Sequence, residues 1–304
     1  MQLERSKFEP IGYDLKSSEK IVRPSVSFWK DAYRRLKQNK MAVISFYILL
    51  IIIIMAAIGP YLRPFTYDEQ DYTAIFKPPN AVHWFGTDNL GRDLFVRSWL
   101  GARVSLRIGF IAAVLNMVVG VIYGGISGYF GGITDEIMMR IVDVLYSIPT
   151  LIIVILLMII MQPGEFTIIL AMALTGWVDM ARLVRGQVLQ LKEQEYVLAA
   201  KTLGAGPWRI ITKHLIPNAL GPIIVRLTLN IPSAIFTEAF LSYIGLGIRL
   251  PQASWGSLAT DGTTYLQNAP WLLVFPAVLI SLTMLAFNIL GDGIRDALDP
   301  RMRK

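Results

Sequence analysis

Residues 41–62 read MAVISFYILLIIIIMAAIGPYL, a run without a single charged side chain. About 20 apolar residues in a helix cross the hydrocarbon core of a bilayer, since each advances about 1.5 Å and the helix satisfies its own backbone polar groups. This stretch therefore predicts a membrane-spanning helix, and with it a chain whose solvent is lipid. Working outward, the pattern recurs. Residues 108–134 begin apolar and become Gly-rich, 144–164 contain LIIVILLMIIM, and FTIILAMALTGWV from Phe166 opens a helix that continues past Asp179. Residues 220–248 are apolar apart from Arg226 and Glu238, and 271–290 form the last uncharged span. The composition agrees: of 304 residues, 54% are hydrophobic and only 17% charged, against about 25% charged in soluble domains. The expected fold class is an all-α polytopic membrane protein with six transmembrane helices.

Six spans place both ends of the chain on one side, and charge decides which. Lys and Arg number ten up to residue 40, one between the second and third spans (Arg140), six over 182–213 and four after residue 292. The opposite side has six over 63–107 and one at Arg249, with Arg226 inside a span. Basic residues accumulate on the cytoplasmic face, so both termini are expected in the cytoplasm. The net charge of +7 then belongs to those loops rather than to nucleic-acid binding. The domain order expected is a cytoplasmic N-terminal tail with an amphipathic helix (1–40), a first transmembrane helix (41–62), an extracytoplasmic loop (63–103), a transmembrane core (104–291) with a cytoplasmic loop at 190–217, and a cytoplasmic tail (292–304). About forty mostly polar residues precede the first span, which is not the pattern of a signal peptide. Within that tail, Phe28, Trp29, Ala32, Tyr33 and Leu36 recur at helical spacing among basic residues. They fit a helix lying on the inner leaflet or a solvated polybasic flank that fixes topology.

Several chemistries are excluded. There is no Cys, and His occurs only at positions 83 and 214, so a thiol nucleophile, a thiolate metal site and a Ser/His/Asp constellation are all lacking. The phosphate-cradling pattern G-x-x-x-x-G-K-[ST] does not occur either. The chain is therefore expected to be no enzyme and to bind no cofactor or metal itself.

What remains is a polar insert between apolar spans, EYVLAAKTLGAGPWRIITKHLIPN (195–218). Its first half is a good helix former with small residues at Ala199 and Ala200. Gly204-Ala205-Gly206 then breaks the helix, and Pro207 suits the first turn of another. Trp208, Ile211 and Leu215 are expected to form one apolar face, and Pro217 to stop the second helix before the next span. Two short helices joined by an elbow could dock in a partner's groove; on pattern alone, an ordinary amphipathic connector fits as well. A second stretch, HWFGTDNLGRD (83–93), has turn chemistry in Asp88, Asn89 and Gly91, and Asp93 is placed to cap the following helix. An ion network of Asp88, Arg92 and Asp93 is expected there. Gly120, Gly124, Gly128 and Gly132, four residues apart, predict close helix packing. Among the charges near the membrane core, Asp179 is expected to pair with Arg182 three residues on, and Glu238 and Asn230 are the candidates for lining a translocation path.

These stretches resemble one known family. Residues 198–217 look like the EAA loop of ABC importer permeases, with pattern E-A-A, three residues, G, nine residues, I-x-L-P. Ala199, Ala200, Gly204 and Pro217 fall on it, while Leu198, His214 and Ile216 stand at its Glu, Ile and Leu positions. The segment 83–93, with Phe85, Gly86, Asp88, Gly91, Arg92 and Asp93, closely resembles the FGTDxxGRD segment of the oligopeptide/dipeptide/nickel branch, in its C-type subunit. TDEIMMRIVDVLYSIP (134–149), TEAFLSYIGLG (237–247), PQASWG (251–256) and GDGIRDALDPR (291–301) match as well. The resemblance implies a type I ABC importer permease in the bacterial plasma membrane, without catalysis of its own. It implies a second, B-type permease, two cytoplasmic ATPase subunits that use ATP and Mg, an extracytoplasmic peptide-binding protein, and a peptide or nickel-chelate substrate. The ATPase-coupling residues would be Glu195, Leu198, Ala199, Ala200, Leu203, Gly204, Ala205, Pro207, His214 and Pro217. The residue pattern alone leaves one rival open, an ion-coupled secondary transporter relaying protons through Asp179 and Glu238.

Overall fold

The computed structural model describes residues 28–248 and 252–299, and these are helical apart from loops and one isolated bridge between Thr87 and Asp93. Helix α1 (Phe28–Gln38) exposes Phe28, Trp29 and Tyr33 and buries Ala32. Asn39 then caps α2 (Lys40–Ile58), its side chain accepting from the Ala42 N–H at 3.1 Å. Only Ala42, Ser45, Leu49, Ile52 and Ala56 of α2 are buried, a stripe at steps of three and four. The rest of this apolar helix faces outward, as a helix in lipid can. The other residues of the predicted N-terminal tail, 1–27, lie outside the described residues.

The second long helix, α3 (Leu94–Phe130), has 37 residues. It begins well before the expected span, so the last ten residues of the predicted loop 63–103 are helix. The reason is the Asp93 cap, which starts a helix where hydropathy still reads polar. Further along, α3 lies against α7 (Val178–Leu191). A Cβ at Gly120 would sit 2.6 Å from Met180 Cβ, at Gly124 2.3 Å from the Ala181 carbonyl oxygen, and at Gly128 2.9 Å from the Arg185 carbonyl oxygen. Three of the four spaced glycines thus set the approach of the two backbones, whereas nothing lies within 4 Å of Gly132.

The predicted third span is not one straight helix. Helices α4 (Gly132–Ser147) and α5 (Thr150–Met161) meet at 79°. Pro149 disfavours the helical conformation for the residue before it, and Ile148 is accordingly extended, with φ −87° and ψ 119°. The fourth span is α6 (Glu165–Thr175) with α7, joined through a single turn at Gly176 and Trp177.

The largest revision concerns the insert. Helix α8 (Glu195–Thr202) is separate, as expected, but α9 (Pro207–Ile210) runs through a π turn, Ile211–Leu215, directly into α10 (Ile216–Leu241). Pro217 does not stop the helix. Proline has no N–H for the carbonyl four residues back, and the chain absorbs the defect by widening one turn: the Ile216 N–H bonds to the Ile211 carbonyl, five residues back. A second π segment, Ser242–Leu246, follows α10, and then come α11 (Trp255–Thr264) and α12 (Trp271–Leu298). Sequence patterning missed α11, whose start is fixed by reciprocal bonds between Ser254 and Ser257. The predicted tail at 292 likewise begins inside α12.

Among the described residues, five helical segments are long and apolar enough to span a membrane, and six do so if the bent pair α4–α5 counts as one. Both described ends lie at the same end of the bundle as α8: Gly293 of α12 packs on Ala42, and Lys192 donates to the Gly128 carbonyl beside the end of α3. The 83–93 loop closes the opposite end, where Trp271 Nε1 donates to the Thr87 carbonyl.

Candidate functional site

The elbow forms by backbone chemistry alone. The Gly204 N–H bonds to the Lys201 carbonyl at 2.9 Å and the Ala205 N–H to the Ala200 carbonyl at 3.0 Å, the paired bonds that close a helix on a left-handed residue. Gly204 supplies that residue, with φ +82°. Gly206 then caps α9, and Pro207 occupies its first turn, where no N–H is needed. Beneath the elbow, Val197, Ile210, Ile211, Leu215 and Ala219 are buried against Val184 and Val188 of α7. Trp208 does not join them as expected; Ile210 takes its place. Outward, the elbow presents Leu203 at 87% exposure, Trp208 at 62%, Leu198 at 47% and Tyr196 at 41%. Glu195, Ala199, Pro207 and Pro217 are exposed, Ala200, Ala205 and His214 are half-buried, and nothing approaches the Gly204 Cα face within 4 Å. These large apolar side chains form an exposed patch on an otherwise polar loop, of the kind that protein, membrane or ligand contacts cover.

The 83–93 loop has the opposite character. Asp88 Oδ1 accepts from the Leu90 N–H at 2.9 Å and the Arg92 N–H at 3.0 Å, while Oδ2 accepts from Arg92 Nε at 2.7 Å and lies 3.5 Å from Arg97 Nε. Asp93 is outside that network: it caps the Val96 N–H at 2.9 Å and holds His83 Nδ1 at 2.9 Å. His83, Thr87, Asp88, Arg92, Asp93 and Arg97 are all buried. Two glycines have no substitute. A Cβ on Gly91, at φ +72°, would lie 1.8 Å from the Asp71 carbonyl oxygen, and one on Gly86, at φ +80°, 2.7 Å from Trp271 Nε1. Phe85 stacks on Phe275 of α12 at 3.9 Å. Nearby, hydrogen bonds from Thr73 hold the Asp71 carboxyl below its usual pKa, and burial pushes that of Asp261 up against the pull of Arg97 and Arg92. The motif is a lock between loop and bundle.

The intramembrane charges are placed differently from their sequence reading. Glu238 is fully buried. Ser105 Oγ and Ser242 Oγ each donate to its carboxylate at 2.7 Å, Ser254 Oγ reaches Ser242 Oγ at 3.2 Å, and the Trp255 N–H donates to Ser105 Oγ. A carboxylate so enclosed clamps α3, α10 and α11 together, and it lines no path. The missed partners, Ser105, Ser242 and Ser254, are small polar residues whose spacing gave no signal. Asp179 pairs with Arg226 of α10 at 2.6 Å, not with Arg182, which instead reaches Asp143 at 2.8 Å. A proton relay from Asp179 to Glu238 has no support in this arrangement. Asn230 is half-buried and borders a cavity of about 250 Å³ beside that ion pair.

Comparison with known proteins decides the family. Residues 95–304 match the binding-protein-dependent transport system inner membrane component, and 27–79 match the N-terminal TM domain of oligopeptide transport permease C. The chain belongs to this permease family. It is 54% identical over 302 residues to the oligopeptide transport system permease protein OppC of Bacillus subtilis, covering 99% of both chains. It is 57% identical over 290 residues to the dipeptide transport system permease protein DppC of the same organism, covering 95% of this chain and 91% of the relative. Among solved structures, an inward-facing MetNI methionine ABC transporter aligns with TM-score 0.53 and 21% identity over 66% of this chain and 97% of that one, a likeness of fold. The family and the spans together make this a multi-pass inner-membrane transport permease of type I importer fold.

Proposed function

We propose that this chain is the C-type membrane subunit of an ATP-driven importer that carries peptides into the cell, coupled to its ATPase through the α8–α9 elbow. The observation that carries the coupling is the exposed set Tyr196, Leu198, Leu203 and Trp208 on a rigid, glycine-closed turn. The peptide substrate is read from the full-length likeness to oligopeptide and dipeptide permeases. The excess of Lys and Arg at the elbow end supports a cytoplasmic position for it.

The mechanism is mechanical. Partner ATPase subunits bind ATP and Mg, and their closure moves the elbows of this chain and of a B-type permease. Because α9 continues through the π turn into α10, force on Trp208 is delivered to a membrane helix without a hinge at Pro217. The ATPase must hold the two permease states unequally for this to drive transport. An extracytoplasmic binding protein delivers the peptide.

The test is reconstitution of the complete importer with a Gly204→Trp variant. A Cβ at Gly204 meets nothing within 4 Å, so the main loss in stability comes from the left-handed conformation, about 1–2 kcal/mol. Peptide uptake and binding-protein-stimulated ATP hydrolysis should fall at least tenfold in a complex that still inserts. Uptake at the wild-type rate would overturn the docking role.

A further inference from the structure

The cavity beside Asn230 has features that neither the fold nor the elbow requires. It measures about 250 Å³ and is bordered by Asn116 of α3, Thr175 and Asp179 around the α6–α7 bend, and Arg226, Asn230 and Ser233 of α10. Polar side chains on the outward face of membrane helices are costly against lipid and turn toward a partner or water. Two polar atoms at its border are buried without a hydrogen-bond partner: Asn116 Oδ1 and Arg226 Nε. Asn116 is only 7% exposed, and buried amides are normally satisfied. Asp179 occupies one edge of the Arg226 guanidinium, through Nη2 at 2.6 Å, while Nε has no acceptor. A guanidinium carries five N–H donors and serves two carboxylates on different edges.

We propose that this cavity is a subsite for the carboxy-terminal end of a peptide. Arg226 takes the terminal carboxylate on its unshared edge, and Asp179 is the positioning residue that holds the guanidinium toward the cavity. The Asn116 side chain turns to the adjacent main-chain amide. The volume falls below the 300–1,000 Å³ of pockets that enclose a drug-sized ligand, so it suits the end of a peptide and leaves the length of the remainder free. This assignment rests on the peptide-importer reading.

The test uses the complete importer in nanodiscs, turning over a radiolabelled alanine–photoleucine–alanine tripeptide supplied on its binding protein. Irradiation should label residues 226–237 of α10. Labelling should fall at least fivefold for the C-terminally amidated peptide, but not for the N-acetylated one. Arg226→Gln should abolish the difference between acid and amide. Asn116→Leu, which removes an unpaired buried carbonyl oxygen, should lower labelling while leaving the unfolding midpoint unchanged or higher. Uptake with labelling elsewhere, equal capture of acid and amide, or sensitivity to N-acetylation instead would overturn the subsite alone. Absence of peptide uptake by the wild-type complex would overturn the importer reading and the subsite together.

Discussion

The 83–93 loop and the 195–217 insert are both polar connections between membrane helices, and they solve opposite problems. In the first, charged residues point inward and nearly every one has a partner: Asp88 serves two backbone N–H groups and two arginines, and Asp93 caps a helix and binds His83. In the second, a buried apolar row beneath the elbow is topped by Tyr196, Leu198, Leu203 and Trp208, which point outward, with Leu203 and Trp208 the extreme cases. The residues that look like chemistry in the sequence are there to fold a loop. Four residues that look like core, Tyr196, Leu198, Leu203 and Trp208, are left uncovered by the rest of the chain. A motif rich in Asp and Arg is therefore a poor guide to a working surface in this chain, and an exposed Leu–Trp pair a better one.

The contrast is most easily broken at Asp88. An Asp88→Ala variant strands Arg92 and Arg97 in a buried setting, and losing one partner of a buried ion pair costs about 3–5 kcal/mol. The detergent-solubilised chain should lose most of its thermal stability, and assembly with partner subunits should fail for that reason. A stable Asp88→Ala protein with altered transport would move the loop from lock to working site. The next effect is the mirror image. Leu203→Ser with Trp208→Ser should leave stability within about 0.5 kcal/mol, as for surface positions, yet weaken ATPase association by at least about 2 kcal/mol if either residue is a hot spot, a factor near thirty in a titration. Unchanged affinity would reduce the elbow to a connector. The smallest effect is expected at His214, which occupies the Ile position of the EAA pattern. It is half-buried, and the hydrogen bond recorded there is to its backbone carbonyl, from Asn218 Nδ2 at 2.6 Å. His214→Ile should change neither unfolding nor coupled ATP hydrolysis measurably, and a loss of coupling would assign the imidazole a role that the backbone bond does not.

The regions legible in sequence are those whose hydrogen bonds close within a few residues. The elbow needed only Gly204, Gly206 and Pro207, because its capping bonds join Ala200 and Lys201 to positions five and three further on. The same holds for the turn at Asp88 to Gly91 and the cap at Asp93. The spans were readable because a bilayer demands long uncharged helices whatever their neighbours are. Even the bend at Ile148–Pro149 was present in the sequence, and it was hidden only by the length of the apolar run that follows.

Pairing across the bundle was decided by tertiary structure. Asp179 had a cation three residues away and took one 47 positions away, because α7 turns that carboxylate toward α10 and turns Arg182 toward Asp143. Glu238 could have faced a path, and Ser105, 133 positions earlier, seals it instead. Pro217 should locally have ended a helix, but the buried residues on either side, Leu215 and Ala219, hold the chain in line while a π turn absorbs the missing bond. Short-range bonding and membrane thickness act on the chain wherever it lies, so sequence alone determined the spans, the elbow and the loop turns. Which polar group meets which depends on the rotation of packed helices about their axes, and only the folded bundle fixes that.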